Sequence, residues 1–306
     1  MGNKSIHGVI VPLITPVNDN ENVQWPDLET LVEHVIEGGV DAIFAMGTTG
    51  EFARFDDDTR AKAIDYVVKC CAGRVPVYAG VSDCGTKRVL ENIKKAEQSG
   101  VNAVVATLPY YFPTVSAHEA LSYFRDIARS TSLPVILYNI PVTVGAKISL
   151  EVFEQLLDVE NIVAMKDSSG DLQYFKALIE LCQNRKKALS VIVGNESVSY
   201  DAFTMGADGI VPSLANPYPR LFASLYESAI NKNLTKLQFY CDIVNSFNTL
   251  NNFSDSWMSP NIWRKVALEL MGIISSCGFT QPYTPVSPDI RQQVLSTVEK
   301  YRSLFG

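Results

Sequence analysis

Asn161-Ile162-Val163-Ala164-Met165-Lys166 runs straight into Asp167-Ser168-Ser169-Gly170-Asp171, and an amphipathic stretch over 172–182 follows. A short apolar run ending in turn chemistry predicts a buried strand, and the segment beyond it predicts a helix. Together they make one βα unit, with Lys166 closing the strand at the mouth of a core. An ordinary lysine has a pKa of about 10.4 and is almost wholly cationic at neutral pH. Burial disfavours that charge, and a neutral amine on rigid backbone attacks a carbonyl to form a Schiff base. The competing reading of a lone lysine there is a first loop residue reaching back to water. The rest of the chain decides between them.

The same unit recurs in both directions. Short, apolar, non-alternating runs predict strands at 9–14, 42–46, 77–81, 103–107, 135–138, 162–165, 191–193 and 209–211. Apolar runs without alternation are what parallel strands show when both faces are covered. Between them, helical spacing of apolar residues predicts helices at 27–37, 56–71, 86–99, 117–130, 150–157, 172–182, 197–205 and 219–230. Gly38-Gly39, Gly73, Gly100 and Gly206 stand where helices should stop. Eight βα units in sequence predict a (β/α)8 TIM barrel, an α/β fold. A doubly wound open sheet is the runner-up, but no GxGxxG or Walker-type loop follows any strand. Beyond residue 232 the strands stop. Three further helices are expected at 234–250, 260–271 and 288–304, with a polar linker at 251–256. The chain thus divides into a barrel over 1–232 and a C-terminal helical extension over 233–306, acting as one unit.

Composition narrows the function. The 306 residues are 47% hydrophobic and 19% charged, with a net charge of −7, so no basic face exists to track nucleic acid. The six cysteines form no CxxC pair, and His7, His34 and His118 are the only histidines. That argues against a zinc site and a Ser-His-Asp triad, and unpaired cysteines suit a reducing compartment. Cys84 is expected to be a small filler. No signal peptide opens the chain and no apolar run approaches 18 residues, so a cytoplasmic protein with no membrane partner is expected.

Barrel active sites sit at the C-terminal ends of the strands. The residues there are Gly47-Thr48-Thr49-Gly50-Glu51, Leu108-Pro109-Tyr110-Tyr111-Phe112-Pro113, Tyr138-Asn139-Ile140-Pro141, Lys166 with Ser168, Gly194-Asn195-Glu196-Ser197, and Pro212-Ser213. Each alone has a plain reading as turn, packing or helix start. Jointly they gather hydroxyls, tyrosines and glycines around one lysine. No cofactor is required, and no Asp, Glu and His cluster offers a metal site. The set suits Schiff-base chemistry on a 2-keto acid. Tyr138 is a proton shuttle, Thr48 a relaying hydroxyl, and backbone amides of Gly47 to Gly50, at a helix N-terminus, are donors for the substrate carboxylate.

These motifs, with Gly206-Ala207-Asp208-Gly209, resemble the dihydrodipicolinate synthase / N-acetylneuraminate lyase family of class I aldolases over essentially the whole chain. The resemblance implies Lys166 as the Schiff-base lysine, Tyr138 as the proton-transferring phenol, Thr48 as the relay and Thr49, with Gly47, on the keto acid's carboxylate. It implies that Tyr111 enters a neighbouring subunit's site in a tetramer built as a pair of dimers. Synthases of the family carry an arginine five residues after the motif's tyrosine; here that position is Thr143, which supplies no bidentate cationic clamp. Ser168, Glu196 and Ser213 match lyase contacts to a sugar chain, although Ser197 stands where sialic acid lyases have a second acid. Gly194 and Thr143 complete the expected substrate-binding set. The first expectation is therefore reversible cleavage of a 2-keto-3-deoxy sugar acid to pyruvate. Condensation of pyruvate with aspartate semialdehyde is the alternative, followed by a sugar-acid dehydratase or a non-catalytic keto-acid-binding barrel.

Overall fold

A computed structural model of the chain describes residues 6–112, 116–251, 259–283 and 286–305. Its eight strands are β1 (Gly8–Pro12), β2 (Ala42–Ala45), β3 (Val77–Gly80), β4 (Ala103–Thr107), β5 (Val135–Asn139), β6 (Ile162–Asp167), β7 (Ser190–Val193) and β8 (Gly209–Ile210). All pair in parallel in chain order, and β8 closes on β1 through Gly8 opposite Gly209 and Val9 opposite Ile210. The seam is tight: a Cβ on Gly209 would lie 2.5 Å from the Gly8 carbonyl oxygen, so a side chain there would push the barrel open.

Helices cover the outside. The first four are α1 (Trp25–Glu37), α2 (Asp57–Cys71), α3 (Thr86–Gln98) and α4 (Ala117–Arg129). The Asp56 carboxylate caps α2 by accepting from the amides of Asp58 and Thr59, and Ser116 with Glu119 forms a capping box on α4. Next come α5 (Pro141–Val144), α6 (Leu150–Leu156), α7 (Leu172–Asn184), α8 (Ser199–Met205) and α9 (Pro219–Ile230). The C-terminal extension adds α10 (Leu234–Ser246), α11 (Asn248–Asn251), α12 (Ser259–Leu270) and α13 (Pro288–Phe305).

The structure differs from the sequence reading in several places. β6 runs on through Lys166 and Asp167, because both find pairing partners in β5 and β7. The short helix α5 was not expected; Pro141 at its first turn presets the helical φ. The helix expected at 197–205 opens as a 3₁₀ turn, Glu196–Val198, and the one expected at 234–250 breaks at Phe247 into α10 and α11. Cys84 is exposed rather than packed. Residues 1–5, Pro113 and residues 252–256 of the expected linker lie outside the described residues. No helix among the described residues is long and apolar enough to cross a membrane.

Candidate active site

β5 and β6 place the two central residues side by side. Their register sets Tyr138 opposite Lys166 and Asn139 opposite Asp167. Successive strand residues face opposite sides. Tyr138 and Lys166 therefore point into the barrel, while Asn139 and Asp167 point away from it. The outer pair is tied by a 2.7 Å hydrogen bond from Asn139 Nδ2 to Asp167 Oδ1, which fixes the register that the inner pair depends on. Burial raises the pKa of Asp167, against the hydrogen bonds from Asn139 and Ser169.

Lys166 is buried in an apolar barrel interior that includes Phe44, Tyr78, Ile136 and Ile192. Its Nζ lies 3.7 Å from the centroid of the Tyr138 ring and 5.2 Å from that of Phe44. Burial holds its pKa below the ordinary lysine value; Tyr138 and then Glu196 act the other way. No ion pair to Lys166 is present among the described residues. Gly194 leaves room for it: a Cβ there would lie 2.1 Å from Ser168 Oγ and 2.9 Å from Lys166 Cε.

Above this floor is a cavity of about 300 Å³ lined by Thr48, Thr49, Tyr138, Ser168, Gly194, Glu196 and Ser213, among others. Lys166 does not itself face the cavity; Tyr138, Ser168 and Gly194, which surround it, do. The loop after β2 supplies the opposite wall. Met46 (φ 52°) and Glu51 (φ 59°) hold it in left-handed conformations that non-glycine residues rarely adopt, which keeps the loop tight. Buried Gly47 backs onto Phe44; a Cβ on it would lie 2.7 Å from the ring. The loop leads into a single 3₁₀ turn, Phe52–Arg54, and not into the N-terminus of a helix as expected, so its amides act without a helix dipole. Thr48 and Tyr138 face the same cavity, but no hydrogen bond joins them.

The rim is built from β7, β8 and the C-terminal extension. Glu196 Oε1 accepts from the Ser213 amide at 2.8 Å, Ser213 Oγ at 2.7 Å and the Leu214 amide at 3.1 Å. It also faces Arg264 Nη2 at 3.3 Å. α12 lies across this rim. Asn261 Nδ2 donates to the Thr49 carbonyl at 3.4 Å, and Lys265 pairs with Glu51 at 2.5 Å. Ser168 Oγ is buried with no partner.

Two expected residues stand elsewhere. Thr143 sits on α5, exposed, with its hydroxyl donating to the Ile140 carbonyl at 3.2 Å. It does not line the cavity above Lys166 but a second one of about 200 Å³, shared with Thr48, Glu51, Thr107 and Tyr110. The unexpected turn of α5 carries it there. Tyr111 is 75% exposed, packs edge-on against Phe112, and lines neither cavity. Sequence reading missed Arg264 and Asn261, which line the main cavity. The available signal was Asn261, Arg264 and Lys265 at i, i+3 and i+4, a polar stripe on a helix whose neighbours are Ile262, Trp263, Val266, Ala267 and Leu268. Among the described residues no cluster of three or more His, Cys, Asp or Glu could hold a metal.

Known proteins share this architecture. The chain is 30% identical to a 4-hydroxy-tetrahydrodipicolinate synthase of Shewanella pealeana, over 97% of this chain and 98% of that one. It is 33% identical to a protein of the same name from Marinobacter nauticus, over 94% and 96% of the two chains. A dihydrodipicolinate synthase of Acinetobacter baumannii, solved in complex with pyruvate, superposes with a TM-score of 0.88 at 28% identity, covering 96% of this chain and 98% of that one. The Thermotoga maritima dihydrodipicolinate synthase gives a TM-score of 0.90 at 25% identity, covering 97% and 99%. A model of the dihydrodipicolinate synthetase family matches residues 5–301, and this chain belongs to that family of lyase-type enzymes.

Proposed function

We propose that this chain is a class I aldolase that carries pyruvate as a Schiff base on Lys166. One observation carries the proposal: a buried amine on a barrel strand, beneath a polar cavity, with no ion-pair partner among the described residues and a phenol ring against it. In this reading the neutral Nζ attacks C2 of pyruvate, and the C2 oxygen leaves as water. The iminium draws electrons from C3, which loses a proton to give an enamine. The enamine carbon adds to an aldehyde carbon, the new alkoxide takes up a proton, and water then hydrolyses the iminium to free the lysine. Cleavage is the same path reversed. Tyr138 carries the protons to and from the departing oxygen, with Thr48 as relay across the cavity. Thr49 and the amides of the Gly47 loop receive the pyruvate carboxylate.

For the aldehyde, the name shared by the relatives supports aspartate semialdehyde, and this reading stands ahead of sugar-acid cleavage. A second reading, cleavage of a 2-keto-3-deoxy sugar acid, is favoured by the hydroxyls and carboxylate of Ser168, Ser213 and Glu196 on one wall. The exposure of Tyr111 suits a side chain that enters a neighbouring copy's site, and a homo-oligomer is part of the proposal.

Borohydride added with pyruvate should inactivate the protein and leave one reduced pyruvyl group on Lys166 by peptide mass mapping. An unmodified Lys166 would end the proposal. Turnover of pyruvate with aspartate semialdehyde, against turnover of a panel of 2-keto-3-deoxy acids, then separates the two readings.

A further inference from the structure

Arg264 is the most deeply buried arginine at the cavity, with 3% of its surface exposed. It is far from satisfied. Among the described residues only Nη2 has a partner, Glu196 Oε1 at 3.3 Å, while Nε and Nη1 are buried with none. Each unpaired buried donor carries a desolvation penalty, and guanidinium donors carry more than neutral ones. Glu196 does not remove that deficit. The same oxygen already accepts three shorter hydrogen bonds from Ser213 and Leu214, so its lone pairs are directed to the turn after β8. The side chain is held in place from behind: Trp263 lies under it at 5.0 Å, and the indole stacks on Phe247 at 5.8 Å with ring planes 5° apart. Trp263 Nε1 is fixed in turn by Asn251 Oδ1 at 2.9 Å. A guanidinium held rigidly, lining a cavity and short of acceptors is a preorganised anion receptor.

We infer that Arg264 is the specificity-determining residue for the second substrate, binding an anionic group at the end of the acceptor aldehyde distal to the reacting carbonyl. This rests on the aldolase reading. It places the cationic clamp on α12, in the main cavity, whereas the Thr143 side chain, which supplies none, lines the second cavity. The shared chemistry is a planar or tetrahedral oxyanion, a carboxylate or a phosphate, since the guanidinium fork suits both.

The test uses wild-type protein trapped with pyruvate and borohydride, which leaves the acceptor end of the cavity open. Calorimetry then compares succinic semialdehyde with its primary amide, and glyceraldehyde 3-phosphate with glyceraldehyde. The acid should bind about 10- to 100-fold more tightly than its neutral counterpart in at least one pair, the range expected of a charge-assisted hydrogen bond. The pair that discriminates identifies carboxylate or phosphate. Arg264→Gln should erase the preference while pyruvate still traps on Lys166, and Arg264→Lys should keep part of it. An arginine that merely clamps Glu196 would, on removal, weaken acid and neutral ligand alike. No discrimination in either pair, or full discrimination retained in Arg264→Gln, overturns the inference. Failure of pyruvate to trap instead overturns the aldolase reading. Should Arg264→Gln not fold, as judged by its thermal transition, the wild-type ratios and Arg264→Lys still decide.

Discussion

Two buried lysines stand at the barrel's C-terminal end, and their surroundings are opposite. Lys265 on α12 is 1% exposed, pairs with Glu51 at 2.5 Å and donates to the Gly278 carbonyl at 3.1 Å. Lys166 on β6 is 5% exposed, with the rings of Tyr138 and Phe44 against its amine and no ion-pair partner among the described residues. A carboxylate in contact makes a buried lysine half of an ion pair and gives it a structural role. Without one, burial tips the balance toward the neutral amine, which is the nucleophile. Burial alone does not mark a lysine as reactive; burial without a counter-charge does. The difference also separates the layers: the amine at the floor has no ion-pair partner among the described residues, while at the rim Lys265 ties α12 to the loop after β2.

The sharpest way to break that contrast is to remove each lysine in turn. Lys166→Met should lower turnover by a factor on the order of 10⁴ or more, since in the proposed mechanism it removes the group that carries the covalent intermediate. It should also raise thermal stability at neutral pH, because an unpaired amine is replaced by an apolar chain of similar shape. The pH dependence has a definite sign. The folded-state pKa of Lys166 is lowered, so the unfolded chain binds the extra proton. Wild-type stability therefore gains with rising pH between that lowered value and the ordinary lysine value, and the methionine variant lacks this gain. Thermal melts from neutral to alkaline pH measure it; a variant that is less stable than wild type throughout would refute the unpaired amine. Lys265→Met should do the reverse. It strands the Glu51 carboxylate in the interior and should cost about 3–5 kcal/mol in urea unfolding, with pyruvate still able to trap on Lys166 in whatever fraction stays folded. A loss under about 1 kcal/mol would mean that the pair contributes little to holding the rim.

The same contrast governs what was legible in the sequence. The strands were readable because parallel barrel strands are apolar on both faces, and the floor residues followed because strand ends map onto one face of the barrel. Tyr138, Lys166 and Gly194 were placed at that end of the barrel in this way. Asp167 was taken for turn chemistry, since its role as a β6 rung depends on Asn139 lying opposite it on β5. The rim was less readable. Arg264, Asn261 and Lys265 come from a helix about 100 residues further along the chain than Lys166, and helical spacing does not say which strand ends a helix will cover. Thr143 was misplaced for a local reason: four residues, Pro141–Val144, coil into a helix that was not expected and turn its hydroxyl back onto Ile140.

That last displacement sets the smallest expected effect. The Thr143 hydroxyl bonds only within its own turn, and the side chain faces the second cavity and solvent. Replacing it with alanine removes no contact to the floor around Lys166 and none to the Arg264 rim. Thr143→Ala should therefore change kcat/KM for either substrate by no more than about twofold, the effect of a substitution away from core and site. Thr48 is the one route by which the change could spread, because it lines both cavities. A loss of tenfold or more on the acceptor, with pyruvate trapping intact, would show that the acceptor enters past α5 through the second cavity. The division into floor and rim would then need a third region, on the side of the barrel where Tyr110 and Thr107 lie.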